Sequence, residues 1–116
     1  MKTTAKDFAR FKAEFRRWQK RLGLMDWHVQ FFHGKLQTDR GAEIRTNLEA
    51  RLCEVRLAAE WDYRADGLGR HEALELLLTD LDTLCRYRYI RPDEIDSARH
   101  AVIQRLSNLF DEMENR

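Results

Sequence analysis

The sequence predicts a small α+β domain, in which amphipathic helices at both ends enclose a β segment. Between Phe8 and Leu22, apolar residues recur at steps of three and four, the period of one helix face. Residues 26–33 instead alternate, so that Trp27 and Val29 fall on one side of an extended chain. With 116 residues, of which 43% are hydrophobic and 35% charged, residues 1–116 suit a single domain with one core.

The first helix should begin after Thr4 and end near Gly23. Thr4 can cap the helix, and Asp7 lies in the first turn, where a carboxylate is favoured. A glycine is common just past a helix end. We interpret the basic face of this helix as a solvated surface rather than a phosphate-binding one. That face contains Arg10, Lys12, Arg16, Arg17, Lys20 and Arg21.

Residues 42–61 carry two patterns at once. Cys53, Val55 and Leu57 alternate with polar residues, as in a half-buried strand. Apolar residues from Ile44 to Ala59 also fit a helical period, and the content of Ala, Glu, Arg and Leu favours a helix. Residues 47–50 could form the turn of a hairpin, although their turn signal is weak. The residues alone leave both structures open.

The C-terminal half should contain two helices separated by a connector. A loop over residues 61–69 precedes a helix from about Arg70, which carries a leucine stripe. Residues 86–91 are basic and aromatic, and we interpret them as a helix end followed by a surface loop. Pro92 suits the first turn of the last helix, whose apolar stripe runs from Ile95 to Met113.

Composition argues against several classes of partner. The net charge of +1 provides no general attraction to nucleic acid or to an anionic membrane. No apolar run approaches the roughly 20 residues of a membrane span, and the first residues lack the apolar core of a signal peptide. Cys53 and Cys85 are far apart and too few for a disulfide framework, which favours a reducing cytoplasm.

The most specific motif is His71-Glu72-Ala73-Leu74-Glu75. On a helix, His71 and Glu75 lie one turn apart on the same face. The motif differs by one residue from His-Glu-x-x-His, in which two imidazoles hold zinc and the glutamate acts as a general base. A His-Glu pair is also common on ordinary surface helices, so the motif alone does not establish a metal site.

The order of these segments resembles a known family. The matching pieces are Leu22-Gly23-Leu24 at the end of the first helix, Asp26-Trp27 before a strand, and the His-Glu helix. They are similar to the small SprT-like metallopeptidases of the minimal gluzincin type that phages and prophages encode. The resemblance implies a zincin-like α-β-β-β-α-α fold with a small antiparallel sheet. It also resolves residues 42–59 as a hairpin, with strands at 26–33, 42–48 and 51–59.

The resemblance further implies a zinc site. The family carries His-Glu-x-x-His and then an acidic third ligand on the last helix, whereas this chain has Glu75 at the second histidine position. Aligning His100 with the third ligand gives His71, Glu75 and His100 as zinc ligands, with Glu72 activating a water on the zinc. The protein would then hydrolyse peptide bonds of a polypeptide substrate in the cytoplasm of a bacterial host. Convergence requires a helix that ends near Leu84 and a true loop after it.

A second alignment leads to a different function. If position 99 is the third-ligand position, the Arg99 guanidinium would replace the charge of the metal and pair with Glu72 or Glu75. The fold would then persist without catalysis, and the protein would act by binding another protein.

Overall fold

The computed structural model describes residues 1–62, 67–87 and 89–115, in which four helices and one three-stranded sheet form an α+β fold. The predicted fold class is therefore confirmed. The elements in chain order are α1 (Ala5–Arg21), β1 (His28–Gly34), β2 (Ala42–Asn47), β3 (Leu52–Ala58), α2 (Leu68–Leu77), α3 (Thr79–Arg86) and α4 (Pro92–Glu114).

Both ends of α1 are held by local hydrogen bonds. The Asp7 amide donates to Thr4 Oγ1 at 3.0 Å, and the Thr4 amide donates to Asp7 Oδ2 at 2.8 Å, forming a capping box. After the helix, Gly23 has a φ of 71°, the left-handed conformation that glycine adopts at low cost. The buried Gln19 amide then donates to the carbonyl oxygens of Leu24 and Trp27. The predicted helix limits are confirmed.

The sheet has the order β1-β3-β2 and is mixed. β2 and β3 form the expected antiparallel hairpin, and all three strands agree with their predicted ranges to within two residues. The prediction of an antiparallel sheet is wrong for β1, which pairs in parallel with β3. Alternation fixes the face to which a side chain points but not the direction of the neighbouring strand. Here β2 takes the far edge, and the hairpin returns β3 to the centre in the direction of β1.

The core lies between one face of the sheet and the helices α1 and α2. Val55 and Leu57 on β3 are fully buried, as are Phe11 and Phe15 on α1. α1 and α2 are in close contact at Gly69, where an added Cβ would lie 2.8 Å from the Phe11 carbonyl oxygen. This contact fixes the start of α2, and therefore the position of the His-Glu motif, against α1.

The helix predicted from about Arg70 is divided in two at Leu78. The Thr79 hydroxyl donates to the Glu75 carbonyl oxygen at 3.2 Å, a type of bond that bends helices. α3 then ends at Arg86, and Tyr87 and residues 89–91 are not helical, so the expected connector exists. Residues 63–66 of the predicted loop, together with Arg88 of the connector, lie outside the described residues.

α4 packs chiefly against α3. None of the helices within the described ranges is long and apolar enough to cross a lipid bilayer.

Candidate metal centre

Three side chains of α2 place their metal-binding atoms close together. One donor atom each from His71, Glu72 and Glu75 lies within 4.8 Å of the other two. His71 Nε2 and Glu75 Oε1 are 3.3 Å apart, as the spacing of four residues predicts. His71 is exposed and Glu75 partly exposed, whereas Glu72 is buried. The cluster therefore has two donors at the surface and one beneath them.

Glu72 occupies an unusual environment for a carboxyl group. It is only 3% exposed, and its Oε2 atom has no hydrogen-bond partner within the described part of the chain. Burial, and to a smaller extent the nearby Glu75 carboxylate, raise the pKa of Glu72 to about 7, while the Arg40 guanidinium opposes the shift. A buried carboxylate without partners is costly. A proton or a cation at this position would remove that cost.

The cluster borders an open cavity of about 670 Å³. Besides the three donors, the loop before β2 contributes Arg40, and Trp61 contributes an aromatic wall. Arg40 is the only lysine or arginine among the described residues that line this cavity. A second cavity of about 410 Å³ continues from Arg40 and Glu75 along β2 to α3. The cluster therefore lies in a groove rather than in an enclosed site.

The structure does not bring His100 to this cluster. His100 is exposed on α4 and is outside the group of donors that lie within 4.8 Å of one another in the described ranges. The physical reason is the path of the chain, because α4 packs chiefly on α3 while the cluster lies on α2. Among the described residues, the structure thus groups His71 and Glu75 with Glu72 and not with His100.

Arg99 does not occupy the cluster either. Its Nη2 atom donates to Asp96 Oδ1 at 3.0 Å, and both side chains are exposed on α4. The alternative in which this guanidinium pairs with Glu72 or Glu75 therefore also needs correction. A cation that acts on Glu72 is instead Arg40.

The donors fit a divalent cation. One imidazole and two carboxylates are nitrogen and oxygen ligands of the kind that zinc and other first-row metals accept. Two ligands of a tetrahedral zinc ion, with bonds of about 2.0–2.1 Å, lie about 3.3 Å from each other. The His71–Glu75 separation matches this value. Glu72 Oε2, which is buried without a hydrogen-bond partner among the described residues, is a further oxygen donor at this position.

Two residues that matter here were missed by the sequence reasoning. Arg40 lies in a loop, and no periodic pattern indicates where a loop side chain will point. Glu14, in contrast, had a readable signal, because it lies three residues after Phe11 on the apolar side of α1. It is buried and accepts a 2.7 Å hydrogen bond from the Gly69 amide, which anchors the start of α2.

Comparison with protein-family models, curated proteins and solved structures finds no match to this chain. The likeness to SprT-like peptidases therefore rests on the residues quoted above.

Proposed function

We propose that this protein is a phage-type, SprT-like metallopeptidase that hydrolyses peptide bonds in the bacterial cytoplasm. The observation that supports this most is the buried Glu72, whose Oε2 lacks a partner among the described residues while donors from His71 and Glu75 lie within 4.8 Å. A poised carboxyl beside a cation site is the arrangement that metal-assisted hydrolysis requires. The absence of a paired cysteine among the described residues agrees with a reducing compartment.

His71 Nε2 and Glu75 Oε1 would hold the zinc ion, and Glu72 is close enough to assist. Zinc, when bound, supplies a Lewis acid that polarises a substrate carbonyl and makes water more acidic. Glu72 Oε2 accepts the proton of the attacking water and returns it to the leaving amine. A pKa near 7 suits both transfers, because such a group accepts and releases protons at neutral pH.

Arg40 supplies positive charge on the substrate side of the groove. It lines both cavities that meet at Glu75. A guanidinium in this position stabilises the negative charge that develops on the carbonyl oxygen during attack. The two connected cavities, of about 670 and 410 Å³, offer room for an extended polypeptide segment.

A second function is favoured by one observation. The cluster contains a single imidazole, because Glu75 occupies the position of a second histidine and His100 lies elsewhere. Catalytic zinc sites usually combine three protein ligands with an open position. If Glu72 serves as the proton carrier, only two ligands remain in the described ranges. The alternative is therefore a catalytically inactive descendant that binds another protein in the groove.

Metal content separates the two functions. Protein purified without added metal and dialysed against zinc should contain one zinc per chain by elemental analysis. His71→Ala and Glu75→Ala should lose the metal, whereas His100→Ala should keep it and serves as the matched control. Glu72→Gln should retain zinc but lose hydrolysis of a denatured polypeptide such as unfolded casein. A folded wild-type protein that takes up no zinc would instead support the inactive, protein-binding alternative.

A further inference from the structure

α4 exposes several large apolar side chains. All 23 residues of this helix are described, and only Leu109 is buried. Ile103, Phe110 and Met113 are each about half exposed, at 48%, 54% and 52%. Large apolar side chains that recur along one helix face are typical of a contact surface.

Together with the partly buried Leu106, these exposed residues form one continuous stripe. At about 100° per residue, Ile103, Leu106, Phe110 and Met113 fall within an arc of about 80°. The stripe borders the core side of the helix, where Leu109 lies. The apolar face of α4 is therefore wider than the part that packs against the core. We call the surface formed by Ile103, Leu106, Phe110 and Met113 the α4 stripe.

The overall dimensions show that the single chain is less compact than a typical domain of its length. The radius of gyration is 15.4 Å, and the extents are 46 × 41 × 21 Å. A compact domain of this length has a radius of gyration of about 13 Å. A helix gains most of its stability from packing of its apolar face. On α4, Leu109 is buried and Val102 and Leu106 pack partly against the core, while the exposed residues named above do not.

We propose that the α4 stripe pairs with the α4 stripe of a second copy of this chain, with the two helices antiparallel. An antiparallel pair centred between Leu106 and Ser107 places Ile103 opposite Phe110 of the second copy. The same register places Arg99 opposite Glu114 of the second copy, and the two-fold axis repeats both contacts. Arg99 and Glu114 are both exposed and lie within or beside the arc of the stripe.

Charge complementarity is what favours a second copy arranged in this way. In a parallel pair, Arg99 would meet Arg99 and Glu114 would meet Glu114, and both contacts would be repulsive. In the antiparallel pair, each end joins a cation to an anion. The segment from Arg99 to Glu114 is about 22 Å long at 1.5 Å per residue, so the interface is small and the association moderate.

The test is the oligomeric state of the whole chain under reducing conditions. Sedimentation equilibrium should show wild-type protein as a dimer at about 200 µM, within the range expected for a small interface. Phe110→Glu should be monomeric, and its thermal transition should equal that of wild type measured at a dilution where wild type is monomeric, because Phe110 is exposed and not part of the core. Gln104→Glu adds the same charge to an exposed position outside the stripe and should leave the dimer intact.

Charge reversal tests the antiparallel register. Arg99→Glu and Glu114→Arg should each weaken the dimer at least tenfold, and the double variant should restore it, since the cation and the anion have then exchanged places. A wild-type monomer at about 200 µM would overturn the proposal. A dimer that survives Phe110→Glu would overturn it as well, because another surface would then hold the two copies together. Failure of the double variant to restore association would overturn the antiparallel arrangement.

Discussion

At the scale of single residues, burial of the Glu72 carboxyl destabilises the fold at the position for which a functional role is proposed. The Glu72 side chain is buried beneath the donor atoms of His71 and Glu75. The positive charge of Arg40 favours the ionised carboxylate, but it does not offset the free-energy cost of burying that charge. Stored strain or unsatisfied polarity of this kind is common at functional sites. Burying the Glu72 carboxyl therefore costs folding free energy, which is not expected of a glutamate whose only role is structural.

This cost should be visible as a pH dependence of stability. The folded protein holds the Glu72 proton up to a pKa of about 7, against 4.5 for an ordinary glutamate. The stabilisation that the folded state gains by holding the Glu72 proton is therefore fully present below pH 4.5, and it is lost as the pH rises to 7. The Glu72→Gln variant lacks this titration. Relative to wild type, its free energy of unfolding should rise by about 3 kcal/mol between pH 4.5 and 8.

Urea unfolding at several pH values, in the presence of a chelator, provides the measurement. The chelator keeps metal from masking the effect, because metal bound to the folded state adds its own stabilisation. Glu49→Gln, at an exposed position of the β2–β3 turn, is the control and should follow wild type at every pH. Parallel curves for wild type and Glu72→Gln would contradict the buried, proton-holding state.

The two cysteines should differ sharply in reactivity. Cys53 is 1% exposed, and burial, together with the smaller effects of Glu72 and Glu54, raises the pKa of its thiol to about 12. Cys85 is exposed on α3. Because the thiolate is the reactive form, iodoacetamide at pH 8 should modify Cys85 and spare Cys53 in the folded protein. Mass spectrometry of tryptic peptides would show this, and Cys85→Ser should remain unlabelled until denaturant is added.

At the scale of elements, the position of the His71, Glu72 and Glu75 cluster depends on how closely α2 approaches α1. Gly69 allows that approach, and an added Cβ would lie 2.8 Å from the Phe11 carbonyl oxygen and 2.9 Å from the Phe15 nitrogen. These two neighbouring atoms belong to the backbone and cannot rotate away. The Glu14 carboxylate completes the contact by accepting from the Gly69 amide.

Gly69→Ala should therefore destabilise the fold by about 1–3 kcal/mol, although alanine is the better helix former. The matched control is Gly34→Ala in β1, where an added Cβ meets no atom within 4 Å. Thermal unfolding of both variants provides the comparison. We expect a clear decrease in the midpoint for Gly69→Ala and a small change for Gly34→Ala. Equal effects would show that α1 and α2 are not in close contact.

The sequence predicts accurately those features that depend on residues close together in the chain, and less accurately those that depend on distant residues. The Thr4–Asp7 capping box and the i, i+4 pair of His71 and Glu75 are local, and the sequence alone predicts both. The parallel pairing of β1 with β3 is not local. It depends on which strand occupies the centre of the sheet, and alternation of apolar residues carries no information on that order.

At the scale of the whole molecule, the same limit explains His100. Its position relative to α2 depends on the break at Leu78, on the connector after Arg86 and on the packing of α4 against α3. Each of these features depends on tertiary packing. The spacing of residues in the sequence therefore could not predict whether a side chain on another helix would reach the donors on α2. The cluster that did form draws all three donors from one turn and a half of α2.

The distribution of charge over the molecule leads to the last prediction, which is weak binding to nucleic acid. The net charge is only +1, and part of the basic face of α1 is engaged within the fold. Lys12 lies over the Phe8 ring at 4.5 Å and Arg16 over the Phe31 ring at 4.9 Å, while Arg21 approaches Glu112 on α4. Binding to duplex DNA requires several cations that are free to replace counterions along the phosphates.

A fluorescently labelled generic duplex should therefore bind no tighter than the micromolar range at about 150 mM salt, where the screening length is about 8 Å. Anisotropy titrations at several salt concentrations would measure both the affinity and its salt slope. Arg16→Ala should change neither, because this guanidinium stacks on an aromatic ring of the same chain. Submicromolar binding that weakens steeply with salt, and that Arg16→Ala reduces, would show instead that the basic face of α1 is a nucleic-acid surface.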